Sequence, residues 1–333
     1  MRVLVPGGGG FLGGAIVRRL VERGDRVESF SRGRHPALAR LGVRHHRGDL
    51  GDPAAVRRAV ADQDAVVHTA AKAGVWGPFE DYWRANVSGT AHVVAACRQA
   101  GVERLVYTST PSVVHRGQDL AAVDEAAPYA ERFGSPYPLS KTAAERLVLS
   151  ADGAGLRTVA LRPHLVWGPG DPHLVPRILA RARAGVLALP GGGGNEVDTT
   201  YVDNAADAHV AALDRLSSGA ACAGQAYFIT NGEPRPLRDI LLAICRAAGL
   251  EPRLVSLPMP LARRLGAALE GAYGAIGLQR EPPLTRFVVE QLGTAHHFDI
   301  RAAKRDLAWA PRVSLEEGFR RLAAAWDERG ERG

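Results

Sequence analysis

The chain has 333 residues, 46% of them hydrophobic and 23% charged, a globular composition that excludes disorder, collagen and coiled coil and suits one large domain or two unequal ones. Its formal charge of +7 rests on arginine, because Lys72, Lys141 and Lys304 are the only lysines; no helix-turn-helix, aromatic RNA-binding motif or arginine-rich arm accompanies it, which argues against nucleic acid as a partner. No apolar run of about 20 residues occurs, and Val3-Leu4-Val5 with a glycine cluster stands where a signal peptide would place its apolar core, so the expectation is a cytoplasmic protein without a membrane span.

Short apolar runs alternate with longer amphipathic ones. Strands are predicted at 2–5, 26–30, 43–47, 65–68, 104–108 and 157–162, and helices at 10–23, 53–61, 82–100 and 140–151. This order predicts an α/β fold, a Rossmann-type doubly wound parallel sheet. The dinucleotide-binding domain is expected over 1–167, with parts of 195–230 returning to it. Beyond Trp167 proline and glycine loops appear and helices dominate from Leu237, predicting a smaller, mostly helical substrate lobe over 168–333. The apolar stretch 254–278 is broken by Pro258, Pro260, Arg263, Arg264 and Glu270, so it cannot span a bilayer; a core helix pair lining a greasy pocket is preferred to an interfacial anchor. Cys97, Cys222 and Cys245 are odd in number and widely spaced, which favours buried thiols over disulfides or zinc.

The first chemical motif is Gly7, Gly10 and Gly13, with Phe11 and Leu12 between them, directly after the first strand and opening the first helix. Glycine permits the tight turn and the close approach of backbone to pyrophosphate, and the helix N-terminus offers unpaired N–H groups. At the end of the second strand an acidic residue would bind a ribose 2′-hydroxyl, whereas arginine accommodates a 2′-phosphate. Ser31, Arg32 and Arg34 stand there, with no carboxylate between Ser29 and Ala39, so NADP(H) is the expected cofactor. Asp49, followed by Leu50, is placed to accept from the adenine amino group; capping a helix ahead of Pro53 is the alternative.

Tyr137 and Lys141 are four residues apart, hence on one face of a helix if it begins near Pro138. An ammonium near a phenol favours the phenolate and lowers its pKa, which suits proton transfer. Tyr107-Thr108-Ser109-Thr110-Pro111-Ser112 lies at the carboxyl edge of the fifth strand, where ligands bind in such sheets. The adjacent pairs His45-His46 and His296-His297 lack metal-ligand spacing, so no metal is expected. Gly191 to Gly194 has no helix after it and reads as a loop near the substrate.

Together these residues resemble the extended short-chain dehydrogenase/reductase superfamily, over nearly the whole chain. The likeness extends to His68-Thr-Ala-Ala71, Asn86, Leu161-Arg-Pro163-His-Leu-Val166 and Tyr201-Val-Asp203. It implies that Thr110 orients the substrate carbonyl, with Ser109 as the adjacent fallback, that Tyr137 protonates the carbonyl oxygen, and that Lys141 tunes the tyrosine and holds the ribose. It also implies that Thr69, Ala70, Ala71, Asn86, Thr108, Pro163, Leu165 and Val166 surround the cofactor. Pro6 departs from the usual threonine or serine, for which a modest affinity cost is expected.

Within the superfamily the chain resembles the 3β-hydroxysteroid dehydrogenase branch. Ala70-Ala-Lys-Ala-Gly-Val-Trp-Gly77, Val197-Asp-Thr-Thr-Tyr201, Tyr227-Phe-Ile-Thr-Asn231 and Pro282-Pro-Leu-Thr-Arg286 resemble its bacterial ketoreductases of long-chain olefin biosynthesis. That likeness implies a lipid substrate, a 2-alkyl-3-oxo acid, together with a homodimer and assembly with neighbouring pathway enzymes. The alternatives are an NAD-linked steroid dehydrogenase, against which Ser31-Arg32 argues, a nucleotide-sugar epimerase or dehydratase, and a non-catalytic NADP sensor.

Overall fold

A computed structural model describes residues 1–153, 155–278 and 280–328. The sheet is formed by β1 (Arg2–Pro6), β2 (Arg26–Ser31), β3 (Arg44–Arg47), β4 (Ala65–His68), β5 (Arg104–Thr108), β6 (Arg157–Pro163) and β7 (Gln225–Ile229). Their order is β7-β6-β5-β4-β1-β2-β3, all parallel. The order reverses between β1 and β4, so a crevice opens there at the carboxyl ends of the strands. Val3, Leu4, Val5, Val66 and Val67 are buried, because helices cover both faces; this is why the strands read as continuous apolar runs.

The longer helices are α1 (Phe11–Glu22), α2 (Pro53–Val60), α3 (Gly89–Ala100), α4 (Pro136–Ser150), α5 (Leu174–Ala182), α6 (Val202–Arg215), α7 (Leu237–Ala247), α8 (Met259–Ala275), α9 (Arg286–Gly293) and α10 (Leu315–Asp327). α1 packs on α6, and α2 on α3. Val3 and Val5 join one hydrophobic cluster and Leu4 the other, as alternation along a strand requires. Cys222 and Cys245 lie in the first cluster and Cys97 in the second, all free and buried.

Three elements differ from expectation. The helix predicted at 82–100 is divided: a short turn at Phe79–Tyr82, a π-helical segment at Trp83–Ser88, then α3. The wider segment carries Asn86, whose side chain binds outside the helix, a common place for such bulges. The catalytic-motif helix starts at Pro136 rather than 140, since both Pro136 and Pro138 fit a first turn. Finally, 254–278 is no core helix pair. Arg253–Leu257 is a strand beside Val186–Pro190, and α8 is a surface helix with only Ala262 and Gly266 buried. The predicted lobe's final residues, 329–333, lie outside the described residues. Among the described residues no helix is long and apolar enough to cross a membrane.

Buried histidines fasten helices to the sheet. His209 of α6 donates through Nδ1 to the Ala205 carbonyl at 2.7 Å, leaving Nε2 to accept from Thr108 at 2.8 Å. His68 pairs with Thr90 of α3 at 3.0 Å. Burial lowers His68 to about 3 and both His115 and His209 to about 4. The unfolded chain therefore binds more protons below pH 6.5, so stability is intact above that pH and is lost as pH falls toward 4, by about 1.4 kcal/mol per pH unit for each histidine. Denaturant unfolding at pH 7 and pH 5 should show this loss, reduced in His209→Gln.

Candidate active site

The glycine turn is as tight as the sequence implies. Gly7 has φ +87°, and a Cβ there would lie 2.6 Å from the Ala70 nitrogen, while one on Gly13 would lie 2.1 Å from the Gly7 oxygen. Gly10 caps α1 with no side-chain hydrogen bond, so the helix end presents backbone donors. Pro6 lacks an N–H, yet its carbonyl accepts from Thr69 N and Ala70 N, both at 2.9 Å, and from Thr69 Oγ1 at 3.0 Å. This closes the turn against the loop after β4.

At the end of β2, Ser31 Oγ pairs with His35 Nε2 at 2.9 Å. The His35 ring lies across Gly9, 2.3 Å from where a Cβ would be, and meets His45 edge-on. Arg32 and Arg34 are exposed beside it, and the Arg32 carbonyl accepts from Arg47 Nε at 3.1 Å. His35 escaped the sequence reading because a histidine in a loop has no periodic signal; its position four residues after Ser31 was the only clue. Asp49 accepts from Gly51 N at 2.8 Å, and the cap ahead of Pro53 belongs instead to Asp52, bonded to Ala54 N and Ala55 N. The Leu50 carbonyl accepts from His92 at 2.7 Å.

Tyr137 and Lys141 lie across the crevice on α4. Burial pushes the Tyr137 phenol up to about 12, and the nearby Thr110 hydroxyl opposes that rise; Thr110 Oγ1 itself donates to Ser112 Oγ at 3.2 Å. Ser109 Oγ is buried without a hydrogen-bond partner, and of the two hydroxyls it is Thr110 that acts on the Tyr137 phenol. Lys141 departs from expectation. Its ammonium donates to Tyr107 Oη and to the Thr108 carbonyl, each at 2.6 Å, rather than to Tyr137, and burial lowers it to about 7 against the raising effect of Glu145. Asn86 faces the protein: it holds Lys72 N at 2.7 Å and donates to Ser140 Oγ at 2.9 Å, which donates to the Tyr137 carbonyl. It thereby ties the loop after β4 to the first turn of α4.

One cavity of about 570 Å³ joins these parts. Gly7, Gly10, Phe11, Leu12, Gly13, Thr69, Ala71, Thr108, Thr110, Tyr137, Lys141, Pro163, Leu165 and Val166 line it. Ser31, Arg32, Asp49, Leu50, Ala70 and Asn86 lie outside this lining. The strand turns at Leu165, held at φ +41°, a costly conformation for a non-glycine residue and one found at functional sites. The far wall is apolar, formed by Ile178, Leu187, Leu189, Leu241, Ile244 and Phe287.

Residues 4–259 match the model of the 3-beta hydroxysteroid dehydrogenase/isomerase family. The chain belongs to that family. It is an oxidoreductase of the extended short-chain dehydrogenase/reductase type, which uses a nicotinamide cofactor. It is 53% identical over 329 residues to the 2-alkyl-3-oxoalkanoate reductase of Stenotrophomonas maltophilia, covering 98% of this chain and 99% of the relative. Identity to the enzyme of that name from Shewanella oneidensis is 48%, covering 96% and 85% respectively. The UDP-glucose 4-epimerase of Thermus thermophilus, solved as a complex with NAD, superposes with a TM-score of 0.74 at 30% identity, covering 98% of this chain and 99% of that one.

The glycine turn of this oxidoreductase suits a dinucleotide, because the space that side chains at positions 7 and 13 would fill is backbone contact. Opposite it, Glu145 on α4 accepts from Arg162 of β6 at 2.6 Å and from Tyr129 at 2.7 Å, all but sealed from solvent. Removing one partner of a buried pair typically costs about 3–5 kcal/mol. Glu145→Gln should therefore lower thermal stability and, by removing the charge that raises it, move Lys141 further down. Thermal unfolding together with the pH profile of turnover checks both effects.

Proposed function

We propose that this oxidoreductase uses NADPH to reduce the 3-keto group of a 2-alkyl-3-oxoalkanoate to the 2-alkyl-3-hydroxyalkanoate in long-chain olefin biosynthesis. The observation that carries the reading is the single cavity running from the glycine turn past Thr110 and Tyr137 to an apolar far wall. The names of the two bacterial relatives support the substrate class. When bound, the dinucleotide supplies the hydride.

In this reading Thr110 and Tyr137 hold the carbonyl oxygen, and Tyr137 gives it a proton as negative charge develops there. Lys141, ammonium at or below neutral pH, steadies the phenolate left behind and helps to hold the ribose. Gly7, Gly10, Phe11, Leu12 and Gly13 receive the pyrophosphate. Ser31 and Arg32, with His35 at hand, take the 2′-phosphate, and Asp49 and Leu50 the adenine end. Thr69, Ala70, Ala71, Asn86, Thr108, Pro163, Leu165 and Val166 shape the nicotinamide side. Residues 1–167 with parts of 195–230 act as the cofactor unit, and the rest of 168–333 as the substrate lobe. The enzyme works in the cytoplasm as a homodimer that assembles with neighbouring enzymes of its route, which native co-purification tests.

NADP⁺ reduction by a 2-alkyl-3-hydroxy acid, followed at about 340 nm, tests the reading, with NAD⁺ and a 3β-hydroxysteroid in parallel. Turnover with the acid and NADP⁺ is expected, falling about 10²-fold or more in Tyr137→Phe; turnover only with steroid and NAD⁺ would overturn it. Arg32→Glu should lower the preference for NADP⁺ over NAD⁺ by about tenfold or more, from loss of a charge-assisted contact. In the reductive direction kcat/KM should fall as pH rises through about 7, where Lys141 loses its proton, while Tyr137 keeps its proton throughout. Lys141→Arg should move that fall to higher pH.

A further inference from the structure

The cavity wall opposite the glycine turn is apolar, yet α5 sends two arginines to it. Arg177 and Arg181 are four residues apart, on the helix face that also brings Leu174 and Ile178 to the cavity. Two carboxylates share the lining, Asp171 and Glu281. Asp171 is engaged with the backbone N–H groups of His173, Leu174 and Val175 at the start of α5. Glu281 forms an ion pair with Arg177. Arg181 donates to the Pro283 carbonyl at 2.7 Å and has no carboxylate partner among the described residues.

The Arg177–Glu281 bridge stands beside Gly74, in the loop after β4 that lines the same cavity. Glu281 Oε2 is 4.0 Å, and Tyr82 Oη 3.4 Å, from the point where a Cβ on Gly74 would be. Gly74 lines the same cavity as Tyr137. A 2-alkyl-3-oxo acid bears its carboxylate on the carbon next to the ketone, so a carbonyl held at Tyr137 brings an anion into the cavity that Arg177 and Arg181 also line. Leaving that anion unpaired beside an apolar wall is costly, and guanidinium is the side-chain group best matched to it.

We propose that Arg177 and Arg181 form a carboxylate clamp for the acid group of the substrate, and that Glu281 occupies Arg177 until the substrate carboxylate displaces it. The clamp rests on the oxo-acid reading of the site. It orients the substrate: with the acid at α5, the alkyl arms face Leu187, Leu241 and Phe287. A 3β-hydroxysteroid, lacking the acid group, gains nothing from it.

The test compares a 2-alkyl-3-hydroxy acid with its methyl ester as substrates for NADP⁺ reduction by the full-length enzyme. Wild type should favour the acid through KM. Arg177→Ala and Arg181→Ala should each raise KM for the acid about ten- to a hundredfold, the effect of losing a charge-assisted hydrogen bond, with KM for the ester little changed and Arg177→Lys recovering part of the loss. Glu281→Gln should lower KM for the acid and leave the ester alone. If the arginine variants change acid and ester equally, or change neither, the clamp is overturned while the reductase reading stands. If wild type turns over neither compound, the reductase reading falls and the clamp with it.

Discussion

The corner of the cavity that carries Tyr137 and Lys141 depends on a charge pair with almost no access to water. Glu145 sits one turn beyond Lys141 on α4, and Arg162 lies one residue before Pro163 at the end of β6. Their fork-like contact fixes the helix carrying Tyr137 and Lys141 against the strand leading into Pro163, Leu165 and Val166. Two sides of one cavity are thereby set at a single distance. The same carboxylate supplies the negative charge that opposes desolvation of Lys141. A hydrophobic pair of equal volume could hold helix to strand as firmly, but it could not supply that charge.

Around this joint the molecule separates its tasks by chemical character. The glycine turn offers backbone and a helix end, suited to phosphate. The loop after β2 is basic. The segments beyond β6 give a greasy wall to which α5 adds two arginines.

The parallel sheet was legible because burial on both faces leaves unbroken apolar runs, and the glycine turn because close backbone approach admits no other residue. Tyr137 and Lys141 were legible as a pair through helical spacing. What spacing could not reveal was the direction of the Lys141 ammonium, which follows from Tyr107 and the Thr108 carbonyl across the crevice. Asn86 was read as a cofactor contact; that its amide also binds the Lys72 backbone and Ser140 Oγ had no signal in the sequence. His35 and the arginines of α5 were not singled out, because their significance arises only when distant segments meet. The stretch 254–278 misled for the opposite reason: its apolar composition suggested burial, although α8 leaves Leu261, Leu265 and Ile276 exposed.

The three thiols have a practical consequence. Burial pushes Cys97 up to about 12 and Cys245 up to about 11, and raises Cys222 as well, so almost no thiolate exists at neutral pH and the folded enzyme resists alkylating reagents. Since Cys97 belongs to one hydrophobic cluster and Cys222 and Cys245 to the other, labelling in dilute denaturant reports the opening of each cluster separately. The native chain already carries a probe in each half of its core.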